Sequence, residues 1–269
     1  IRDRYGEMTD LYDRPYQTDY RNSVWNCGIL PVYRQQLYSV YGEYKSTARE
    51  FFATVNLTHN REWYNRIYEQ RIENGQVQRV SLPLSNHGSG YTVKSTLSKG
   101  FYDLGLKTSL MALLNISKAE QISGGQRLPY QYRLMRLEPK VIWTPNRHWE
   151  TSYQTDIRYG GSKIGERTRL APLWNVIQQV QLSYIFSPIE ASLSVDHYHN
   201  DVNEDQSVNA VFADFSVSWK SGRWQITATA TNLFDKRTYA YTRYASLESY
   251  TSWVRIRPRE FLVAIRYRL

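Results

Sequence analysis

The chain has 269 residues with a formal net charge of +9, 41% hydrophobic and 14% aromatic residues, and one cysteine, Cys27. A single cysteine excludes an internal disulfide, and no run of ~18 apolar residues supplies a helical membrane span. The positive balance comes with no basic run or nucleic-acid-binding motif, so nucleic acid is not an expected partner, and an anionic lipid surface accounts for the charge.

The mean hydropathy of −0.60 resembles that of a soluble protein. A β-barrel, however, shows lipid only every second residue, so its average stays low. The 23 Tyr and 8 Trp are the unusual feature, because amphipathic rings settle at membrane–water interfaces.

Residues 1–35 alternate poorly and scatter Asp, Arg, Tyr and Pro, which predicts an extracellular loop or an incomplete strand region. From 36 to 269 the chain reads as transmembrane strands. A turn near Ser46-Thr47-Ala48-Arg49 leads into Phe51, Ala53, Val55 and Leu57 on one face. The turn Phe101–Leu106 leads into Leu106, Leu110, Ala112, Leu114 and Ile116. Trp143 and Trp149 bracket the next turn, after which Trp149, Thr151, Tyr153, Thr155, Ile157 and Tyr159 oppose Glu150, Ser152, Gln154, Asp156 and Arg158. Phe186-Ser187-Pro188-Ile189 joins two further alternating runs. Trp219 and Trp224 flank Lys220-Ser221-Gly222-Arg223. In the last run Phe261, Val263, Ile265, Tyr267 and Leu269 share one side, while Glu260, Leu262, Ala264, Arg266 and Arg268 share the other. Period-two alternation of this kind is the signature of a strand with unlike faces.

The connections at the opposite ends, around 69–77, 117–129, 160–169, 199–207 and 235–249, are expected to be longer and polar. Short turns guarded by aromatics at one rim only, with long loops at the other, match the two ends of an outer-membrane barrel. The predicted fold class is therefore all-β, a transmembrane antiparallel up-and-down β-barrel with about eleven strands. The expected location is the cell outer membrane of a Gram-negative bacterium, crossed many times. Trp143, Trp149, Phe186, Trp219 and Trp224 are the expected interface girdle, and Phe261, Val263, Ile265, Tyr267 and Leu269 the expected barrel-insertion signal. Outer-membrane lipid and the barrel-assembly machinery are the partners this fold implies. An exported barrel also needs a signal peptide, which is expected to have been removed or to lie in a longer protein.

The segment A-T-N-L-F-D-K-R-T-Y (Ala230–Tyr239), followed by R-P-R-E-F-L-V-A-I-R-Y-R-L (Arg257–Leu269), resembles the end of TonB-dependent outer-membrane transporters. The Tyr-rich texture and the stretch Arg21–Glu50 resemble the Bacteroidota outer-membrane β-barrel group of that superfamily. Leu269 departs from the Phe with which the family usually ends. The resemblance implies a C-terminal half of a ~22-stranded, plugged barrel. It also implies coupling to the TonB complex through a plug region outside these residues, and uptake of a ligand across the outer membrane. The alternative is a structural or assembly barrel in a complex with a surface lipoprotein or a secretion partner.

Ligand contacts are expected in the outer loop at Arg237, Tyr239, Tyr241, Arg243 and Tyr244, since aromatics with Arg suit flat polar ligands. On the polar strand face they are expected at Arg136, Asp156 and Arg158, although interstrand ion pairing accounts for those charges equally well. His197 and His199 share a face with no completing carboxylate in view, so no metal is expected there. Asp201, Asn203, Glu204 and Asp205 read as a solvated acidic loop. No nucleophile–base set or phosphate-binding loop is present, so neither an enzyme nor a cofactor is expected.

Overall fold

The computed structural model describes residues 2–20, 22–73, 76–165, 168–202, 205–244 and 249–268. Three short strands, β1 (Arg2–Tyr5), β2 (Tyr16–Gln17) and β3 (Asn22–Trp25), precede the long β4 (Val32–Ser46) and β5 (Phe51–Tyr64). The hairpin of β6 (Ile67–Glu73) and β7 (Gln76–Leu82) leads to β8 (Asn86–Phe101), β9 (Leu106–Ser123), β10 (Gln126–Asn146), β11 (Trp149–Ile164) and β12 (Thr168–Phe186). Then come β13 (Ile189–Asp201), β14 (Ser207–Ser221) and β15 (Trp224–Thr231). A second hairpin, β16 (Thr238–Tyr244) and β17 (Ser249–Arg255), separates these from the last strand, β18 (Glu260–Tyr267). Among the described residues no helix is long and apolar enough to cross a membrane.

The main sheet runs β1-β4-β5-β8-β9-β10-β11-β12-β13-β14-β15-β18. Setting aside the four-residue β1 leaves eleven longer strands, each antiparallel to its neighbours. The fold is all-β and up-and-down, as the alternation predicts. The first long strand starts at Val32 rather than Gln36, because Tyr33 and Gln35 already pair with Tyr64 and Glu62. β1 covers β4 only from Val32 to Gln35, and β18 is paired through β15. No ladder joins these two edges among the described residues.

The registers assign each strand's residues to one of two faces. Val40, Leu57, Val93 and Leu114 lie side by side on one face, and Trp149, Tyr184 and Ala191 continue it. Large apolar side chains there remain exposed, among them Leu57 (45%), Phe215 (41%) and Ile265 (65%). Apolar groups turned outward along a whole sheet face are the reverse of a water-soluble core. Of the deeply buried apolar side chains, Ile67, Val80 and Ile122 sit where the β6–β7 hairpin meets the far end of β9. The other sheet face carries Ser, Thr, Asn, Gln and charged residues.

At one rim the turns are short: residues 47–50, 102–105, 147–148, 187–188 and 222–223. Gly105, at φ +59°, packs so closely that a Cβ would meet the Thr144 carbonyl oxygen. The other rim differs from the expected set of long loops. The polar stretch around 117–129 is ladder almost throughout, closed by Gly124-Gly125 with φ +57° and +76°. Paired left-handed residues suit a two-residue hairpin. Polarity alone misreads such a stretch, since a ladder forms wherever backbone groups pair, whatever its side chains. The region around 160–169 is likewise mostly strand, through a register shift between Gly160 and Ser162. Among the described residues, extended excursions there are confined to 65–85 and 232–259, and each contains a hairpin.

The excursion after β15 is clasped by two side chains. Asn232 is buried, with φ +51°, a region Asn tolerates better than most residues. Its Nδ2 donates to the carbonyls of Lys236 and Arg257, its Oδ1 accepts from Lys236 N, and its own N–H donates to Asp214. Asp235, at φ +49°, accepts from Arg259 N through Oδ1 and from the Arg237 guanidinium through Oδ2. These hydrogen bonds hold its carboxyl below the ordinary carboxylate range, the Arg259 amide contributing most and Arg237 next.

Asn232→Ala strands two carbonyls and one amide and strains the backbone, so local stability of 232–259 should fall by about 1–3 kcal/mol. Faster amide exchange at Lys236 checks this. The depressed Asp235 value means its contribution is complete above the ordinary carboxylate range and is lost as pH falls through the folded value. Protection at Arg259 N should therefore hold at pH 5 and drop only below about pH 4. Asp235→Asn should remove that acid step.

Candidate functional site

The candidate site lies on the polar face of β10–β13, where the second excursion folds over it. Strand alternation places Arg136, Asp156 and Arg158 on this face, and the β10–β11 register sets Arg136 opposite Arg158. Asp156 sits between the two guanidinium groups. Arg136 donates to it at 3.0 and 2.9 Å, and Arg158 at 3.1 and 2.6 Å. Glu138 also contacts Arg136. These sequence-predicted charges are thus brought together, and their first role is to neutralise one another. Two bidentate contacts fix the carboxylate in position, while the Arg158 side chain, 47% exposed, keeps part of its guanidinium open to a ligand.

The row continues along the ladders. Arg158 pairs with Asn175 on β12, and Asn175 with Asn200 on β13. Asn175 Oδ1 is buried with no hydrogen-bond partner among the described residues. Next to it, Asp156 leads through Ile177 to Tyr198. Tyr239 of β16 reaches back onto this patch: its hydroxyl accepts from Asn200 Nδ2 at 2.6 Å. Its ring stands edge-on to Tyr198 (5.2 Å) and Phe212 (6.2 Å). Aromatic rings beside paired charges and amides form a surface for a flat or polyhydroxylated polar ligand.

The sequence expectation separated a loop set from a strand set. Tyr239 joins the strand set, whereas Arg237 faces the Asp235 clasp at 3.0 Å. Tyr241, Arg243 and Tyr244 lie on β16, with Ser252, Tyr250 and Ser249 as register partners; their side chains are outside the described residues. Tyr198, Asn175, Asn200 and Phe212 belong to the patch and were not anticipated. The period-two pattern places Tyr198 and Phe212 on the polar face, and their being aromatic there was the available signal.

Trp143, Trp149, Phe186, Trp219 and Trp224 all lie at the short-turn rim on the apolar face, 40–52% exposed. Trp149 packs on Tyr184 at 4.6 Å and Trp224 on Tyr267 at 4.8 Å. Aromatics do not guard that rim alone. Tyr38, His59 and Tyr91 stack across β4, β5 and β8 toward the other rim, and Tyr159 packs on Trp174 at 4.6 Å. Their spacing of about ten residues from the first band escaped the turn-centred reading. Phe261, Val263, Ile265 and Tyr267 are exposed on β18, and Leu269 lies outside the described residues.

His197 and His199 share the apolar face, as expected. A carboxylate is nevertheless present, with Asp201 Oδ1 3.2 Å from His199 Nε2, because β13 continues through Asp201. His199 Nδ1 meets Asn209, and Asp201 Oδ2 accepts from Trp174 N. No group of three or more potential metal ligands occurs among the described residues. Asn203 and Glu204 of the acidic loop lie outside them.

Asp156→Asn should leave Arg136 and Arg158 facing each other, at a cost of about 1–2 kcal/mol. Arg158→Gln keeps the Arg136–Asp156 pair and should cost less than about 0.5 kcal/mol. Urea unfolding in lipid vesicles, followed by Trp fluorescence, separates the two.

No family model matches this chain. No curated protein matches it either. Among solved structures, the translocator domain of the autotransporter NalP from Neisseria meningitidis is similar at 11% identity, covering 91% of this chain and 83% of that one, with a TM-score of 0.30. A likeness this loose carries neither fold nor activity across.

Proposed function

We infer that this chain forms part of the wall of an outer-membrane β-barrel, and that the barrel takes up a polar ligand with energy supplied through TonB. The observation that carries the membrane reading is the division of eleven antiparallel strands into an exposed apolar face and a polar face, with aromatic bands about ten residues apart. A tilted strand needs ~9–11 residues to cross the hydrocarbon. Support for the TonB-dependent reading comes from the N-L-F-D-K segment, whose Asn232 and Asp235 make the clasp. The Arg158–Asn175–Asn200–Tyr239 patch supplies polar and aromatic contacts for cargo.

The outer edges of β4 beyond Gln35 and of β18, which no ladder covers among the described residues, favour a second reading, a structural or assembly barrel whose wall is completed in a complex. Exposed strand edges are templates for further strand pairing.

Two measurements decide. A Ser221→Cys variant at the short-turn rim should react with a membrane-impermeant maleimide only after the outer membrane is permeabilised, while Asp205→Cys at the other rim should react on intact cells. Equal labelling of both on intact cells would remove the membrane span. Cells carrying the full-length protein are then given labelled iron–siderophore, oligosaccharide, peptide or cobalamin. Accumulation of one of them that a protonophore abolishes supports uptake. Absence of any such accumulation, with a stoichiometric copurifying partner, supports the assembly reading.

A further inference from the structure

We propose that the outward face of β5, β8, β9 and β10 carries a binding site for the phosphorylated headgroup of an outer-leaflet lipid, with Arg61, Lys118 and Arg133 as its cations. The proposal rests on the reading that these strands span the membrane.

Arg61, Ser89 and Lys118 are successive register partners on the apolar side of the sheet, and Arg133 pairs with Ile116 one step lower. An open depression of about 360 Å³ lies over this row, lined by Arg61, Trp63, His87, Lys118, Glu120 and Pro129 among others. Of the acids on this side, Asp3 meets Arg34 at 2.9 Å, Glu120 meets Arg127 at 3.0 Å and Asp201 lies 3.2 Å from His199 Nε2. Glu62, which also borders the depression, is turned by alternation to the other face, where it accepts from the Tyr33 and Tyr64 hydroxyls. Arg61, Lys118 and Arg133 contact no carboxylate among the described residues. Arg61 Nε instead points to His59 Nε2 at 3.3 Å. The band therefore keeps a net positive charge.

Its height is set by the strands. Arg61 stands ten residues beyond Phe51 (51 to 61), Lys118 twelve beyond Leu106 (106 to 118), and Arg133 ten from Trp143 (143 to 133). With ~9–11 residues needed to cross, all three reach the far boundary of the hydrocarbon. Just beneath them lie the His59–Tyr91 stack, at 4.3 Å, and then Leu57, Val93 and Leu114. A free phosphate or nucleotide has no use for that strip. A lipid does: its acyl chains lie on the strip while its phosphate meets the cations above. Arg61 and Lys118, two strands and about 10 Å apart, can close on one phosphate from either side.

The test uses full-length protein purified from outer membranes, placed in phosphatidylcholine nanodiscs with lipid A or enzymatically dephosphorylated lipid A, and read by native mass spectrometry of retained lipid. Lipid A should be retained about 100-fold better than its dephosphorylated form, about fivefold for each of the three cations. At about fivefold per cation, Arg61→Gln/Lys118→Gln should lose ~25-fold and Lys118→Gln alone about fivefold. Equal retention of the two lipids, or unchanged retention in Lys118→Gln, overturns the proposal. Heat-modifiable migration on SDS gels, recorded on every sample, keeps failure of insertion separate. If wild-type protein shows no folded band in any lipid, the membrane reading fails and takes the proposal with it.

Discussion

Every backbone N–H and C=O inside a hydrocarbon layer must find a partner, because no water is there to take its place. In this chain the backbone groups of the long strands find theirs in ladders between neighbouring strands, as the proposed membrane span would require. Once the ladder fixes the backbone, side chains fall on two sides in strict alternation, and the two sides meet different surroundings. The exposed Leu, Val, Phe and Ile of one face, the Ser, Thr, Gln and charged residues of the other, and the aromatic bands at both rims are what the proposed span would select. Toward the β6–β7 end of the sheet the character changes. Ile67, Val80 and Ile122 are buried as in a water-soluble core, and hairpins cross-brace the ends of the long strands.

Part of the charge on the polar face is neutralised internally. Asp156 is held by two arginines, Asp214 receives the Asn232 amide, and Lys220 is paired with Glu190 at 2.6 Å. Such pairing lowers the unpaired charge that a wide polar surface carries. The amide and aromatic groups not used in charge pairing are concentrated where Tyr239 folds back on Asn200 and Tyr198. The clasp made by Asn232 and Asp235 therefore matters at a distance, since it sets where β16 begins and hence where Tyr239 lands.

The fold class was legible in the sequence because alternation survives in nearly every strand, and Trp143/Trp149 or Trp219/Trp224 mark the turns between them. The parts that escaped have physical reasons. Lys118 and Glu120 continue a strand whose side chains are polar on both faces there, so hydropathy carries no signal and only the Gly124-Gly125 pair marks the turn. The His59–Tyr91 stack joins residues 32 positions apart (59 to 91), and only the register reveals it. The conjunction of Arg136, Asp156 and Arg158 could be anticipated from parity and proximity in sequence. The meeting of Tyr239 with Asn200 depends on the path of an intervening excursion that no periodicity describes.

The connection lengths carry a consequence for how the sheet forms. From β8 to β15 each strand is joined to its ladder partner by five residues or fewer, so each pairing closes a small loop at little entropic expense. Those eight strands can zip up hairpin by hairpin. Two steps differ: β8 reaches β5 across residues 65–85, and β18 reaches β15 across 232–259. Non-local pairings of this kind are slow compared with hairpin closure. The local hairpins inside both excursions shorten the search by drawing their ends together first. Assembly then runs outward from a centre that forms quickly, and the edges, including the terminal strand, are the last to be fixed.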